Sequence, residues 1–145
     1  MNSLLRELSG GWKMAPRALA TAALLGAGCT LFPAAAQTPG LAMLDRLDSG
    51  EWELRLREDG ARQRVCVRHG RDLIQLRHPR GDCSHYVVED GASEVTVQYT
   101  CRGSNYGRTS IRRESATLAQ IQSQGMVGGL PFQFTAEARR VGACR

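Results

Sequence analysis

The chain has 145 residues, a net charge of +5 and five cysteines, which leaves room for one domain and one modest core behind a leader. It contains no zinc-finger spacing, no aromatic stacking platform and no recognisable nucleic-acid module, so its basic balance is not that of a nucleic-acid binder. Without a Cys-x-x-Cys or a Gly-x-Ser-x-Gly elbow, it also lacks the short signatures of a thiol oxidoreductase and of an α/β-hydrolase.

Residues 1–36 read as an export signal. From Met14 a cation (Arg17) precedes an apolar run from Ala18 to Phe32, and Ala34-Ala35-Ala36 offers the small residues of a cleavage site, so Gln37 is the expected mature terminus. Met14 alone opens a well-formed signal, and the thirteen residues before it are atypical of one. The run is shorter than the roughly 20 residues of a membrane helix and is broken by Gly26, Gly28 and Pro33. Cys29 follows Gly26-Ala27-Gly28, but Gly26 stands where a lipoprotein site has a large apolar residue.

The mature part carries sixteen arginines, no lysine and thirteen acidic residues. Residues 37–49 form a lead-in, loose or with one helical turn, and residues 50–145 a single β domain. Glu51-Trp52-Glu53-Leu54-Arg55-Leu56-Arg57 alternates with the period of two that buries one face of a strand. Asp59-Gly60 then predicts a tight two-residue hairpin turn into Gln63–Val67, with both central residues at positive φ. Next, Leu73 and Leu76 recur at helical spacing and Pro79 stops the run, which predicts one short helix over Gly70–Arg77.

Two strands, His85–Val88 and Val95–Tyr99, flank a second Glu-Asp-Gly-Ala turn at 89–92. Three more follow at Arg108–Glu114, Leu118–Gln124 and Phe132–Val141, the last two separated by Gly125, Gly128, Gly129 and Pro131. The polar residues between the apolar ones suggest a sheet with one wet face. The expected fold is mainly β: an antiparallel meander of about seven strands, as a curved sheet or partly closed barrel, with one short helix after the second strand.

Export places Cys66, Cys83, Cys101 and Cys144 in an oxidising compartment, where two disulfides are expected. In a simple meander all four share one pole, so all three pairings are sterically open. Cys66–Cys83 with Cys101–Cys144 is the preferred set, and Cys83–Cys101 across the hairpin is the runner-up.

Glu137-Ala138-Arg139-Arg140-Val141-Gly142-Ala143-Cys144, with Gly50-Glu51-Trp52-Glu53-Leu54 and the strand end Tyr99-Thr100-Cys101, resembles the exported bacterial proteins of DUF3617, a domain of unknown function. Members resemble this chain in having a signal peptide, a Gly-x-Trp-Glu opening strand, a cysteine before a short helix and a final Arg-x-Gly-x-Cys. The likeness runs from about Gly50 to Cys144. The Asp59-Gly60 turn looks tighter than the loop common there. The resemblance implies fold and location and no activity.

Four arginines and two histidines crowd into one stretch against a single acid, Asp72. Arg68, His69, Arg71, Arg77, His78 and Arg80 are therefore the candidate anion site, since guanidinium forks suit oxyanions. His69 and His78 read as surface residues and His85 as a strand-edge residue. With reduced thiols, Cys66-x-x-His69 and Cys83-x-His85 would have zinc- or copper-ligating types, but oxidised sulfur is no thiolate ligand, so no metal and no cofactor is expected. Asp82, Ser84 and His85 supply the residue types of a hydrolase, yet neighbours on a strand point to opposite faces. Trp52, Leu54, Tyr99, Phe132 and Phe134 read first as core and second as a small lipid cup. The function expected is a periplasmic or secreted accessory or binding module for an anionic lipid, a glycan or an envelope protein, with a Cys/His metal protein or a small secreted hydrolase as the alternatives.

Overall fold

In the computed structural model, residues 40–79 and 81–145 are described. The expected leader, the Met14 start, Cys29 and the Gln37 terminus lie outside the described residues, as does Arg80. The described chain forms seven strands: β1 Gly50–Leu56, β2 Arg62–Val67, β3 Cys83–Asp90, β4 Glu94–Cys101, β5 Tyr106–Ser115, β6 Leu118–Val127 and β7 Leu130–Gly142. Every neighbouring pair is antiparallel, in the order β2-β1-β7-β6-β5-β4-β3, within one sheet that does not close.

The alternation read in the sequence is the alternation that is buried. Trp52 and Leu54 of β1, Val95, Val97 and Tyr99 of β4, Ile111 of β5, Ala119 and Ile121 of β6, and Phe132, Phe134, Ala136 and Ala138 of β7 share the inner face. Polar and charged residues take the alternate positions, which are mostly exposed. The Trp52 indole keeps its one donor satisfied by giving it to the Asp48 carbonyl at 2.9 Å. The lead-in covers part of this face with Leu41, Met43, Leu44 and Leu47, of which Leu44–Arg46 form a 3-10 turn.

The sheet is curled. β4 and β7 are three strand steps apart, about 14 Å in a flat sheet. Yet one imidazole, His78, packs on Tyr99 of β4 at 5.5 Å and on Phe132 of β7 at 6.0 Å between ring centroids. The row joining those two aromatics across the sheet is Tyr99–Gly107–Gly125–Phe132. A Cβ on Gly107 would lie 2.3 Å from the Tyr99 hydroxyl oxygen, and one on Gly125 would lie 2.1 Å from the Tyr106 carbonyl oxygen. Two glycines between two rings let the sheet bend and the tyrosine lie flat over its neighbour.

Three local expectations are corrected. The Asp59-Gly60 turn is not a two-residue turn: Gly60 alone has positive φ (72°), and Leu56 exchanges hydrogen bonds with Gly60 and Ala61 around a four-residue loop. The Asp59 carboxylate accepts the Ala61 N–H, which stabilises this wider turn. In the second Glu-Asp-Gly-Ala copy Asp90 is still in β3, and its carboxylate accepts the Leu41 N–H at 3.2 Å, tying down the lead-in. Gly125 lies inside β6, and the turn before β7 is made by Gly128 and Gly129, both at positive φ.

The expected helix is one 3-10 turn, Gly70–Leu73, followed by irregular turns. Tertiary contacts compete with helix continuation here. The Ile74 carbonyl accepts the Thr109 hydroxyl from β5 at 2.6 Å, and both Leu73 and Ile74 enter the core. Asp72 caps the turn by accepting the N–H groups of Arg68 and His69 at 2.8 and 3.1 Å.

The disulfides are Cys66–Cys144 and Cys83–Cys101. This corrects the preferred pairing, and the reason is strand direction. Because 68–82 is a crossover and not a turn, β2 and β3 run the same way, so the end of β2 and the start of β3 lie at opposite ends of the sheet. Cys66 meets the chain just past β7, since Glu51 of β1 faces Cys66 on one side and Gly142 on the other. Cys83 and Cys101 are direct cross-strand partners at the other end. Each bridge secures one edge strand.

Candidate functional site

An antiparallel sheet with an odd number of strands ends in two edges that run parallel to each other. Here those edges are β2 and β3, and neither pairs with the other. Their ladders show which backbone groups are spare. The Leu56 N–H donates to the Ala61 carbonyl at 2.9 Å, so in this register Gln63, Val65 and Val67 bond to β1 while Arg62, Arg64 and Cys66 turn their N–H and C=O outward. At the other edge the Cys101 N–H donates to the Asn105 carbonyl at 2.8 Å, which turns Cys101, Tyr99 and Val97 towards β5. Their partners Cys83, His85 and Val87 therefore also direct N–H and C=O outward.

Between these edges lies a groove of about 920 Å³. β2 contributes Gln63, Arg64, Val65 and Cys66, and β3 contributes His85, Tyr86 and Val87. The crossover adds apolar Ile74, Leu76 and Pro79 with polar Arg68, Arg71, Asp72 and Gln75, and Leu41 closes one side. Tyr86 is 71% exposed on β3.

Most of the charge here is already engaged. Arg64 pairs with Glu51 at 3.2 Å and Glu53 at 3.8 Å, and Arg71 pairs with Asp45 and donates to the Gly40 carbonyl. His85 Nε2 bonds Gln75 Oε1 at 3.0 Å, while the Gln75 amide donates to the carbonyls of His78 and Gly81, pinning the crossover to β3. Arg68 is exposed and makes no salt bridge among the described residues.

The five described residues of the sequence-based anion set do not converge. Arg68 and Arg71 line the groove, whereas His69 is exposed beside it and is not part of its lining. Arg77 lies over the rings of Phe132 and Phe134, 5.7 and 6.0 Å from their centroids. His78 is not a surface residue: it is 8% exposed, its Nδ1 lies 3.2 Å from the Tyr99 hydroxyl, and its Nε2 has no partner among the described residues. Arg80 lies outside the described residues.

The other candidate chemistries are also placed. All four sulfurs of Cys66, Cys83, Cys101 and Cys144 are bonded to one another in pairs. Ser84 donates to the Thr100 carbonyl at 3.4 Å, His85 bonds Gln75, and Asp82 pairs with Arg102 at 3.6 Å, so these three side chains face different partners. The aromatic set Trp52, Leu54, Tyr99, Phe132 and Phe134 is core.

Sequence reasoning missed the polar cluster inside this core. Thr109 Oγ1 bonds both the Ile74 carbonyl and, at 2.8 Å, Ser123 Oγ. Burial pushes the Tyr99 phenol above its ordinary value near 10, and the hydrogen bond with Ser123 and the charge of Arg77 offset part of that rise. Its only sequence signal is Thr109 and Ser123 at inner positions of β5 and β6.

The class defined by this geometry is a single curled antiparallel sheet, stapled at both edges and open along a groove between them. The chain belongs to the family described as "Protein of unknown function (DUF3617)", whose sequence profile matches residues 47–144. No curated protein and no solved structure matches it.

Proposed function

We propose that the chain is an exported, non-enzymatic binding module whose groove between β2 and β3 takes an elongated ligand with an apolar body and an anionic group. The observation that carries this reading is the groove's composition. Val65, Ile74, Leu76 and Val87 supply apolar walls, and Arg68 stands at the lining with its charge uncommitted among the described residues. Concave sites with apolar walls and a few placed polar groups are the common form of small-ligand pockets, and a guanidinium is suited to an anionic group. Two disulfides support an oxidising location, periplasmic or secreted.

Anilinonaphthalene sulfonate, an apolar body with one anionic group, is a suitable probe. It binds at one site, and Arg68→Glu or Leu76→Glu weakens it about tenfold or more, the loss expected for one charged hydrogen bond or one apolar wall. Gln122→Glu, at an exposed position of β6, leaves binding unchanged. Binding indifferent to both groove variants overturns the assignment. Export is checked separately by the mass of the protein from a cell-envelope fraction, which begins at Gln37 on this reading.

A further inference from the structure

We infer that the elongated ligand is an extended polypeptide segment of a partner protein, entering between β2 and β3 antiparallel to both and completing an eight-stranded barrel. This rests on the groove being the binding site and names what fills it.

Three observations converge. The first is parity. With seven strands the two edges run in the same direction, and one further strand of opposite direction is the single addition that continues an antiparallel ladder on both sides. The second is the supply of unpaired backbone. Arg64 and Cys66 on one wall and His85 and Val87 on the other turn peptide groups towards the gap. The crossover makes no backbone hydrogen bond to either edge among the described residues. It lies inside the curl, where the Ile74 carbonyl bonds Thr109 on β5 and His78 reaches Tyr99 on β4. The crossover thus packs into the interior, while β2 and β3 each have a strand partner on one side only.

The third observation is chemical. Val65 and Val87 give the groove apolar walls, Arg68 is the lining cation with no salt bridge among the described residues (Arg64 is paired with Glu51 and Glu53), and the one lining carboxylate, Asp72, is already bonded to two N–H groups. The fitting segment alternates apolar residues with acidic ones and pairs with the six residues of β2, about 20 Å of strand. Main-chain pairing gives such a complex its affinity and the alternate side chains its specificity. A second copy fits less well. Its own β2 is basic, and edge-to-edge pairing of two sheets leaves the other edge of each open.

The test selects displayed random octapeptides against the full exported chain and resynthesises the winners with alternate peptide nitrogens methylated. The expected consensus alternates apolar and acidic residues. Methylation then abolishes binding, and Arg68→Glu weakens it about tenfold. On the protein side, Arg64→Pro removes an outward N–H but no ladder bond to β1, whereas Arg64→Ala removes only the side chain. The proline variant, folded by circular dichroism, binds about tenfold more weakly than the alanine variant. No enrichment, winners indifferent to methylation, or a dimer in light scattering that buries the edges overturns the proposal. Failure of the peptides with sulfonate binding intact leaves the groove reading standing; failure of both removes both.

Discussion

Cys66, on the outer edge strand β2, is bonded to Cys144 two residues beyond the end of β7, so this bridge ties the C-terminal end of the chain to the edge strand at a Cα–Cα separation of 5.3 Å. The opposite edge strand is held more simply, because Cys83 bonds its direct neighbour Cys101.

That pairing is readable in a tryptic digest without reduction. No arginine or lysine lies between Gly81 and Cys101, so Cys83 and Cys101 fall in one peptide, Gly81–Arg102, with an internal bond. Val65–Arg68 is joined to Val141–Arg145. A species linking all three peptides would contradict the fold.

The two bridges differ in loop length, 78 residues against 18. By loop entropy the first contributes about 4.5 kcal/mol and the second about 3 kcal/mol. Replacing Cys66 and Cys144 by serine therefore lowers the unfolding free energy more than replacing Cys83 and Cys101. Urea denaturation of the two double variants measures the order.

The strands were legible because one face is wet. Trp52-x-Leu54 and Phe132-x-Phe134-x-Ala136-x-Ala138 need nothing beyond their own period of two. Strand order was not legible, because β1 lies beside β7 through contacts eighty or more residues apart that leave no local mark. From that one adjacency follow the bridge at Cys144, the parallel edges and the groove, so the site was hidden along with the pairing. Leu73 and Leu76 satisfied helical spacing, but a Thr109 hydroxyl waiting for the Ile74 carbonyl decides the backbone there. His78 looked like one more surface cation in a basic run, and only the curl brings Tyr99 and Phe132 around it.

The glycine row predicts a graded series. Gly125→Ala drives a methyl into the Tyr106 backbone and costs about 1–3 kcal/mol or more, the range for overpacking. Gly107→Ala meets the Tyr99 ring, which has some freedom to shift, and costs less. Gly142→Ala meets nothing within 4 Å and changes stability by under about 0.5 kcal/mol. Urea midpoints in that order support the curl; equal values contradict it.

Tyr99 sets an alkaline limit. Its folded-state pKa is raised, chiefly by burial, so between its unfolded value near 10 and the higher folded one the native state holds a proton that the unfolded state has lost. Its contribution to stability is fully present below about pH 10 and is lost as pH rises through the folded value. Tyr99→Phe removes that slope, while at neutral pH it costs about 1–3 kcal/mol by taking away the hydroxyl beside His78. Denaturation curves between neutral and strongly alkaline pH, compared for the two proteins, measure both effects.

Amide hydrogen exchange in the two edge strands tests the open sheet most directly. The N–H groups of Arg64 and Cys66 in β2, and of His85 and Val87 in β3, are turned away from their only strand partners and exchange fast, while those of Val65, Val67, Ser84 and Tyr86 are protected. Alternating fast and slow amides along both strands is the result this structure requires. Uniform protection through Arg62–Val67 and Cys83–Val87 would mean that the edges are already paired, and the groove between them would not exist.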